Sequence, residues 1–125
     1  MRCDLSKTEL EIMQVLWSRG GKMPSVAIMD VFIDRGRSWK RQTLNTLLKR
    51  MEKKEVIVRT RGSVRTLCSE LEYRHLQSRE IVEESFAGKL DLFVAAYMGK
   101  DSLSPELLEE FAKLMEKMSQ DVAEA

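Results

Sequence analysis

The chain has 125 residues, of which 43% are hydrophobic and 33% charged, and its formal net charge is +1. This length holds one ordinary core or two small units, and the composition is typical of a folded protein rather than a disordered one. No apolar run approaches the roughly 20 residues that cross a bilayer, and the first residues lack the apolar stretch of a signal peptide. We therefore expect a cytoplasmic protein.

The charge is divided unevenly along the chain. Residues 1–75 hold 16 Lys and Arg against 9 Asp and Glu, a net charge of +7, whereas residues 76–125 hold 5 against 11, a net charge of −6. Between Arg35 and Arg65 there are 11 basic residues, and the acidic ones are Glu52 and Glu55. A basic first half of this kind indicates a part that binds a polyanion.

Two helices and a short strand are predicted in the first 35 residues. Ser6–Glu9 has the pattern of a capping box, so a helix should run over about 6–19 and end at Gly20–Gly21. Lys22–Met23 is compatible with an edge strand. A second helix is predicted over 24–35, because the fixed φ of Pro24 suits a helix start.

A third helix is predicted over residues 39–54, and its two faces differ in character. Leu44, Leu47, Leu48 and Met51 follow the spacing of a helical apolar stripe, which should face the core. The opposite face carries only cations and hydrogen-bonding groups: Arg41, Gln42, Thr43, Asn45, Thr46, Lys49, Arg50 and Lys53. A solvated helix usually mixes both signs of charge, so this face favours an anionic partner over the alternative of a merely soluble surface.

A basic β-hairpin is predicted after the third helix. Residues 56–58 and 64–68 are rich in β-branched side chains, and we place the turn between them at Gly62–Ser63. Three helices and such a hairpin are typical of a winged helix-turn-helix domain, in which the hairpin is the wing. The predicted fold class is mainly α with a small β-hairpin, and this first domain should cover residues 1–71.

A helical domain is predicted over residues 72–125. Its helices should cover about 72–86 and 90–98 and a last segment that begins at Ser104–Pro105. We expect their apolar surface to form a homodimer, with folding back onto the chain's own first domain as the alternative. The predicted dimer interface consists of Phe93, Tyr97, Leu107, Leu108, Phe111, Leu114, Met115 and Met118.

Residues that could support catalysis or bind a metal are sparse. His75 is the single histidine, and Cys3 and Cys68 lie in no metal-ligand spacing. The sequence also lacks a phosphate-binding glycine loop and an HExxH motif. We therefore predict no metal, no cofactor and no enzymatic activity.

Four motifs lie in a fixed order along residues 4–118, namely Leu5–Trp17, Gln42–Lys54, Phe86–Gly88 and Leu103–Leu107. In sequence and spacing they resemble the penicillinase-repressor family, also called the BlaI/MecI/CopY family. The resemblance implies a bacterial dimeric repressor that binds palindromic operator DNA. It also implies that the winged helix enters the major groove and that the C-terminal helices form the dimer.

The candidate DNA-binding residues divide into two groups. The residue types Gln, Asn and Thr suit the edges of adenine and thymine, and the resemblance adds two arginines that residue type alone would assign to phosphates. The predicted base-reading residues are Arg41, Gln42, Thr43, Asn45, Thr46 and Arg50. Contacts to the DNA backbone are predicted for Lys40, Lys49 and Lys53 and for the wing residues Arg59, Arg61 and Arg65.

The chain departs from the family pattern in three places. Glu55 replaces a common Gly and should adjust the turn into the wing. Antibiotic-responsive members are cleaved at an Asn–Phe bond in the segment matching Ala96–Tyr97, where Asn is absent here, so a regulatory protease stays an open possibility. Copper-responsive members end in clustered cysteines, and none follows Cys68, which disfavours copper sensing. The alternative function is a protein-interaction adaptor that binds no specific DNA sequence.

Overall fold

A computed structural model describes residues 3–99 and 104–124, the last three of these by their backbone only. Within these ranges the chain forms helices and one small sheet, which confirms the predicted fold class. The elements are α1 (Lys7–Ser18), β1 (Lys22–Pro24), α2 (Ser25–Asp34), α3 (Arg41–Lys53), β2 (Ile57–Thr60), β3 (Ser63–Thr66), α4 (Glu70–Ser85), α5 (Leu90–Met98) and α6 (Pro105–Glu124). None of the described helices is long and apolar enough to span a membrane.

Helix α1 begins with the predicted capping box. The Glu9 backbone N–H donates to Ser6 Oγ at 3.1 Å, and the Ser6 backbone N–H donates to Glu9 Oε1 at 2.9 Å. The two residues therefore satisfy each other's free N–H groups at the helix start. Gly20 and Gly21 follow the helix with φ of +81° and +85°, the left-handed conformation that glycine adopts without strain.

The sheet is antiparallel, with strand order β1-β3-β2. The predicted edge strand is present and extends the hairpin to three strands. The predicted turn at Gly62–Ser63 is wrong by one residue, because Ser63 pairs with Thr60 and leaves Arg61 and Gly62 as the loop. Both loop residues have positive φ, +47° and +77°, as a two-residue type I′ turn requires, and glycine suits the second position.

The core of the first three helices and the sheet is continuous. The apolar stripe predicted on the third helix is confirmed, since Leu44, Leu48 and Met51 are buried and Leu47 is half-buried. The buried apolar side chains of the other elements are Ile12, Met13, Val15 and Leu16 of α1, Met23 of β1, Ile28 and Phe32 of α2, Ile57 and Val64 of β2 and β3, and Tyr73 of α4. The two faces of the small sheet are thus not equivalent: the one carrying Met23 and Val64 faces this core.

The chain divides into two compact units, with the boundary between Ile81 and Val82. Helix α4 contributes to both, and its Tyr73 is buried in the core of the first unit. The predicted division after residue 71 falls at the second residue of this helix. In the second unit, Phe86 and Phe93 pack edge to face with ring centroids 5.4 Å apart.

The last helix begins as predicted. Ser104 Oγ accepts the backbone N–H of Leu107 at 3.1 Å, so Ser104 is its N-cap, and Pro105 occupies the first helical position.

Candidate nucleic-acid interface

The polar face of α3 comprises the six predicted base-reading residues, and it lies opposite the buried stripe. Because Leu44, Leu48 and Met51 fix the helix against the core, these six side chains are all directed to solvent. They are Arg41, Gln42, Thr43, Asn45, Thr46 and Arg50, and each is exposed. The structure therefore brings the predicted set together on one accessible surface.

The hydrogen-bonding groups of this polar face differ in availability. The Thr46 hydroxyl donates to the Gln42 backbone carbonyl at 3.0 Å, so its proton is already used within the helix. Its methyl group is then the part best suited to meet a thymine methyl. The side-chain amides of Gln42 and Asn45 bond to no residue that the structure describes, and each can offer a donor and an acceptor to a ligand.

An aromatic and cationic cluster fixes the loop that enters α3. Trp39 stacks on Phe32 of α2 with ring centroids 4.5 Å apart and planes 21° apart. The Arg37 guanidinium lies 5.9 Å from the Phe32 ring and 5.6 Å from the Trp39 ring, and it bonds to Glu11 of α1 at 2.6 Å. This cluster joins α1, α2 and the start of α3, so it sets the direction in which the polar face begins.

An ion pair with a buried carboxylate fixes the other end of α3. Lys54 Nζ donates to Glu9 Oε1 at 2.9 Å and to the Asp4 carbonyl at 3.0 Å. The Glu9 side chain is only 2% exposed, and burial by itself would raise its pKa. The hydrogen bonds from Lys54 and Ser6 outweigh burial, so the pKa of Glu9 lies below its usual value and the carboxylate is charged at neutral pH.

The tip of the wing is tied to the start of α2. The Ser25 backbone N–H and hydroxyl both donate to the Gly62 carbonyl, at 2.8 Å and 3.2 Å. A cleft lined by Ser25, Asn45, Arg61 and Gly62 therefore connects the polar face of α3 with the wing tip. A ligand in the cleft would meet α3 and the wing together.

The predicted backbone-binding cations divide into compensated and uncompensated groups. Arg59 donates from Nε and from a terminal nitrogen to Glu52 Oε1, both at 2.8 Å, so much of its charge is balanced within the protein. The others are exposed, and no carboxylate among the described residues pairs with them. These are Lys40, Lys49, Lys53, Arg61 and Arg65, and the same holds for Arg41 and Arg50.

Sequence reasoning did not consider Lys22 or Ser25 as candidate residues, and the structure places both beside the residues of the wing. Lys22 lies on β1 directly opposite Arg65, and Ser25 anchors the wing tip. The alternation of Lys22 and Met23 was a signal for an exposed position, but only the pairing of β1 with β3 shows which residue lies beside it.

The predicted dimer residues lie on α5 and α6 of the second unit. Five are exposed, and Tyr97 and Met115 reach 74% and 66% exposure. The exposed ones are Tyr97, Leu108, Leu114, Met115 and Met118, and Phe93, Leu107 and Phe111 are half-buried. The possible cleavage segment Ala96–Tyr97 lies inside α5, so a protease would have to unwind a regular helix to reach that bond.

No group of acidic, histidine or cysteine side chains within the described ranges could hold a metal ion. Cys68 is buried and Cys3 half-buried, and burial raises the pKa of both thiols. Both are therefore protonated and poorly nucleophilic at neutral pH.

Three helices followed by a basic wing, with an exposed polar face on the third helix, define a winged-helix DNA-binding protein. The sequence profile described as penicillinase repressor matches residues 5–117. The chain belongs to the penicillinase repressor family, and it is a transcriptional repressor rather than an enzyme.

Individual relatives are distant but similar over almost their full length. The methicillin resistance regulatory protein MecI of Mammaliicoccus sciuri is 25% identical over 118 residues, which cover 91% of this chain and 94% of the relative. The MecI protein of Staphylococcus aureus strain N315 is 24% identical over the same shares. The penicillinase repressor of Bacillus licheniformis is 25% identical over 117 residues and 90% of each chain.

Proposed function

We propose that the protein is a homodimeric repressor that binds a palindromic operator through α3 in the major groove. The observation that carries this proposal is the polar face of α3. It consists of six exposed side chains on the side of the helix opposite a buried apolar stripe. An α-helix fits the major groove, where each base pair presents a distinct pattern of donors and acceptors. The cleft shared with Arg61 supports a wing that contacts the adjacent DNA backbone.

Sequence selection would come from a small part of this surface. Gln42 and Asn45 have unoccupied amides that can bond bidentately to adenine, and the Thr46 methyl can meet thymine. The exposed cations beside them would bind phosphates, which supply affinity and salt dependence but little sequence information. The proposal thus assigns specificity to α3 and most of the affinity to the surrounding charges.

Homodimerisation is supported by the second unit. Helices α5 and α6 expose large apolar side chains, among them Tyr97, Leu114 and Met115. A two-fold dimer would bury such side chains and present two copies of α3 to half-sites about one helical turn apart. A palindromic operator has the same two-fold symmetry as such a dimer.

The test begins by selecting, from a randomised library, the duplexes that the protein binds. This selection lets the protein itself identify the operator sequence. We expect the selected sequences to contain an inverted repeat. Fluorescence anisotropy with the selected duplex and a scrambled duplex, each at two salt concentrations, should then show tighter binding to the inverted repeat and a steep salt slope. Equal binding to both duplexes would contradict sequence reading, and the absence of binding would favour the adaptor.

A matched variant separates the roles of the wing and α3. Arg61→Asn removes the cation at the wing tip, and asparagine tolerates the positive φ of that position. It should weaken binding to the selected and scrambled duplexes by the same factor, since a phosphate contact carries no base preference. A loss confined to the selected duplex would instead assign base reading to the wing.

A further inference from the structure

Two cations lie directly opposite each other on the outer face of the sheet. Lys22 of β1 is the cross-strand partner of Arg65 of β3. The next pair along the same strands, Met23 and Val64, is buried in the core. Because side chains alternate between the two faces of a strand, Lys22 and Arg65 project from the face that does not contact the core, and both are exposed.

This arrangement is unfavourable for the isolated protein, since like charges directly opposite each other destabilise a sheet. Neither cation forms an ion pair or a side-chain hydrogen bond with a residue that the structure describes. By contrast, Arg59 on the inner face of the sheet bonds to Glu52, and Lys54 at the end of α3 bonds to Glu9. The outer pair is therefore a site at which an external anion would relieve repulsion.

The pair lies in line with the wing tip. Arg65 is two residues beyond Ser63, where β3 begins, so it lies roughly 7 Å along the strand at about 3.3 Å per residue. A DNA strand carries a phosphate for about every 3.4 Å of helix axis. The Lys22–Arg65 pair is thus farther from the start of the strand than one phosphate step, so it and Arg61 would meet separate phosphates.

We propose that Lys22 and Arg65 form a phosphate-binding pair for DNA that flanks the half-site read by α3. This inference rests on the proposed function. Helix α3 packs against the inner side of the sheet, as the bond between Glu52 and Arg59 shows, whereas the pair projects from the outer side. A duplex docked on α3 reaches the outer face only with backbone that continues past the base pairs in the groove.

The test compares two duplexes that contain the same selected inverted repeat. One ends at the outermost selected base pair, and the other extends by about one helical turn, roughly 10 base pairs, on each side. The variants are Lys22→Ser and Arg65→Ser, and Lys113→Ser on α6 is the matched control for loss of an exposed cation. Affinity is measured as a function of salt for each combination.

On the extended duplex, each sheet variant should weaken binding several-fold and reduce the salt slope by about 0.9 for each phosphate that the variant no longer binds. On the short duplex, and for the Lys113→Ser control on either duplex, binding should match the unaltered protein. Equal reductions in affinity on the short and extended duplexes, or no reduction on either, would overturn the proposal.

Two further readouts keep the outcome interpretable. Each sheet variant should unfold at the same temperature as the unaltered protein or a higher one, because it removes a like-charge pair, so weaker binding cannot be attributed to misfolding. If the unaltered protein prefers the inverted repeat while the sheet variants bind normally, only the flanking site is refuted. If the unaltered protein shows no preference, the proposed operator reading fails, and the salt slopes on long duplexes still decide the phosphate site.

Discussion

The two units of the chain differ in how many of their large apolar side chains are buried, although the first unit also exposes some, such as Leu71. In the first unit Phe32, Leu48 and Tyr73 are buried almost completely. In the second unit Tyr97, Leu114 and Met115 are more than half exposed, and Met98 is the buried apolar residue among those described there. The first unit has a core of its own, whereas the second exposes an apolar surface of the kind that the proposed dimer would cover.

The two halves of the chain also differ in the sign of their net charge. Residues 1–75 have a net charge of +7, and residues 76–125 have a net charge of −6. A basic surface attracts the DNA backbone, and an acidic one is repelled by it. The difference fits the proposal that DNA binding and self-association lie in separate parts of a short chain.

The largest effect is expected from a pair of identical substitutions, one in each unit. Leu48→Ala should lower the free energy of unfolding by about 2–5 kcal/mol at any protein concentration, because it opens a cavity in a complete core. Leu114→Ala, at a half-exposed position, should destabilise in a way that depends on protein concentration, since its contacts would come from a second chain. Urea denaturation followed by circular dichroism at several concentrations measures both. A concentration-independent effect of Leu114→Ala would remove the contrast between the units.

Charge placed on α6 should separate the two units functionally. The double variant Phe111→Glu with Met115→Glu should shift the sedimentation mass to that of a monomer, because unpaired carboxylates would be buried at the interface. Affinity for the selected inverted repeat should fall about 100-fold or more, because a monomer loses the affinity that two linked binding modules gain over one.

The control for that variant is Lys113→Glu, an exposed residue on the charged side of the same helix. It should leave both the sedimentation mass and the DNA affinity close to those of the unaltered protein. An unchanged mass for the double variant would refute the assignment of the interface.

Substitutions on the polar face of α3 should act on specificity without affecting stability. Gln42→Ala or Asn45→Ala should cost about 1–3 kcal/mol on the selected duplex and relax the preference at one base pair of each half-site. Both positions are exposed, so thermal unfolding should be unchanged. Equal weakening on the selected and scrambled duplexes would show that these amides contact the backbone instead.

The sequence predicted the elements of the molecule well because their signals are local. The capping box at Ser6, the Gly20–Gly21 pair after α1 and the Ser104–Pro105 start of α6 each act within a few residues. The turn of the wing was placed one residue late, because glycine fits more than one turn position and only strand pairing decides between them. The base contacts and the dimer stay predictions, which the substitutions above address.

Features that depend on distant pairing could not be predicted. The bond from Arg59 to Glu52 joins a strand to a helix, and the opposition of Lys22 and Arg65 depends on the register of strands 43 positions apart. Nothing in the local sequence distinguishes a cation with an internal acid from one without. Sequence reasoning therefore grouped Arg59 with the unpaired cations and did not consider Lys22 beside Arg65, and the phosphate contacts of all these residues stay predictions.

Acid should weaken the first unit through the Glu9–Lys54 pair. Because the pKa of folded Glu9 is below its usual value, the pair stabilises the fold above the unfolded pKa of about 4.3, and this contribution is lost as pH falls through the lower folded pKa. Glu9→Gln should lower stability at neutral pH by about 1–2 kcal/mol and flatten the decline below pH 4. Urea unfolding at pH 7 and at a series of acid values tests this, with Glu11→Gln as a comparison. An undiminished acid slope in Glu9→Gln would assign the decline to other carboxylates.

The smallest effect is expected at Glu55, which links α3 to the wing. Its φ is +61°, a left-handed conformation in which a side chain is strained and glycine is not. Glu55→Gly relieves that strain but increases the freedom of the unfolded chain, so the net gain in stability should be below about 1 kcal/mol. Glu55→Ala is the matched control, because it also removes the carboxylate but keeps the Cβ. A rise in melting temperature for Gly and not for Ala would show that the backbone of this junction, rather than the Glu55 charge, limits the stability of the otherwise complete first unit.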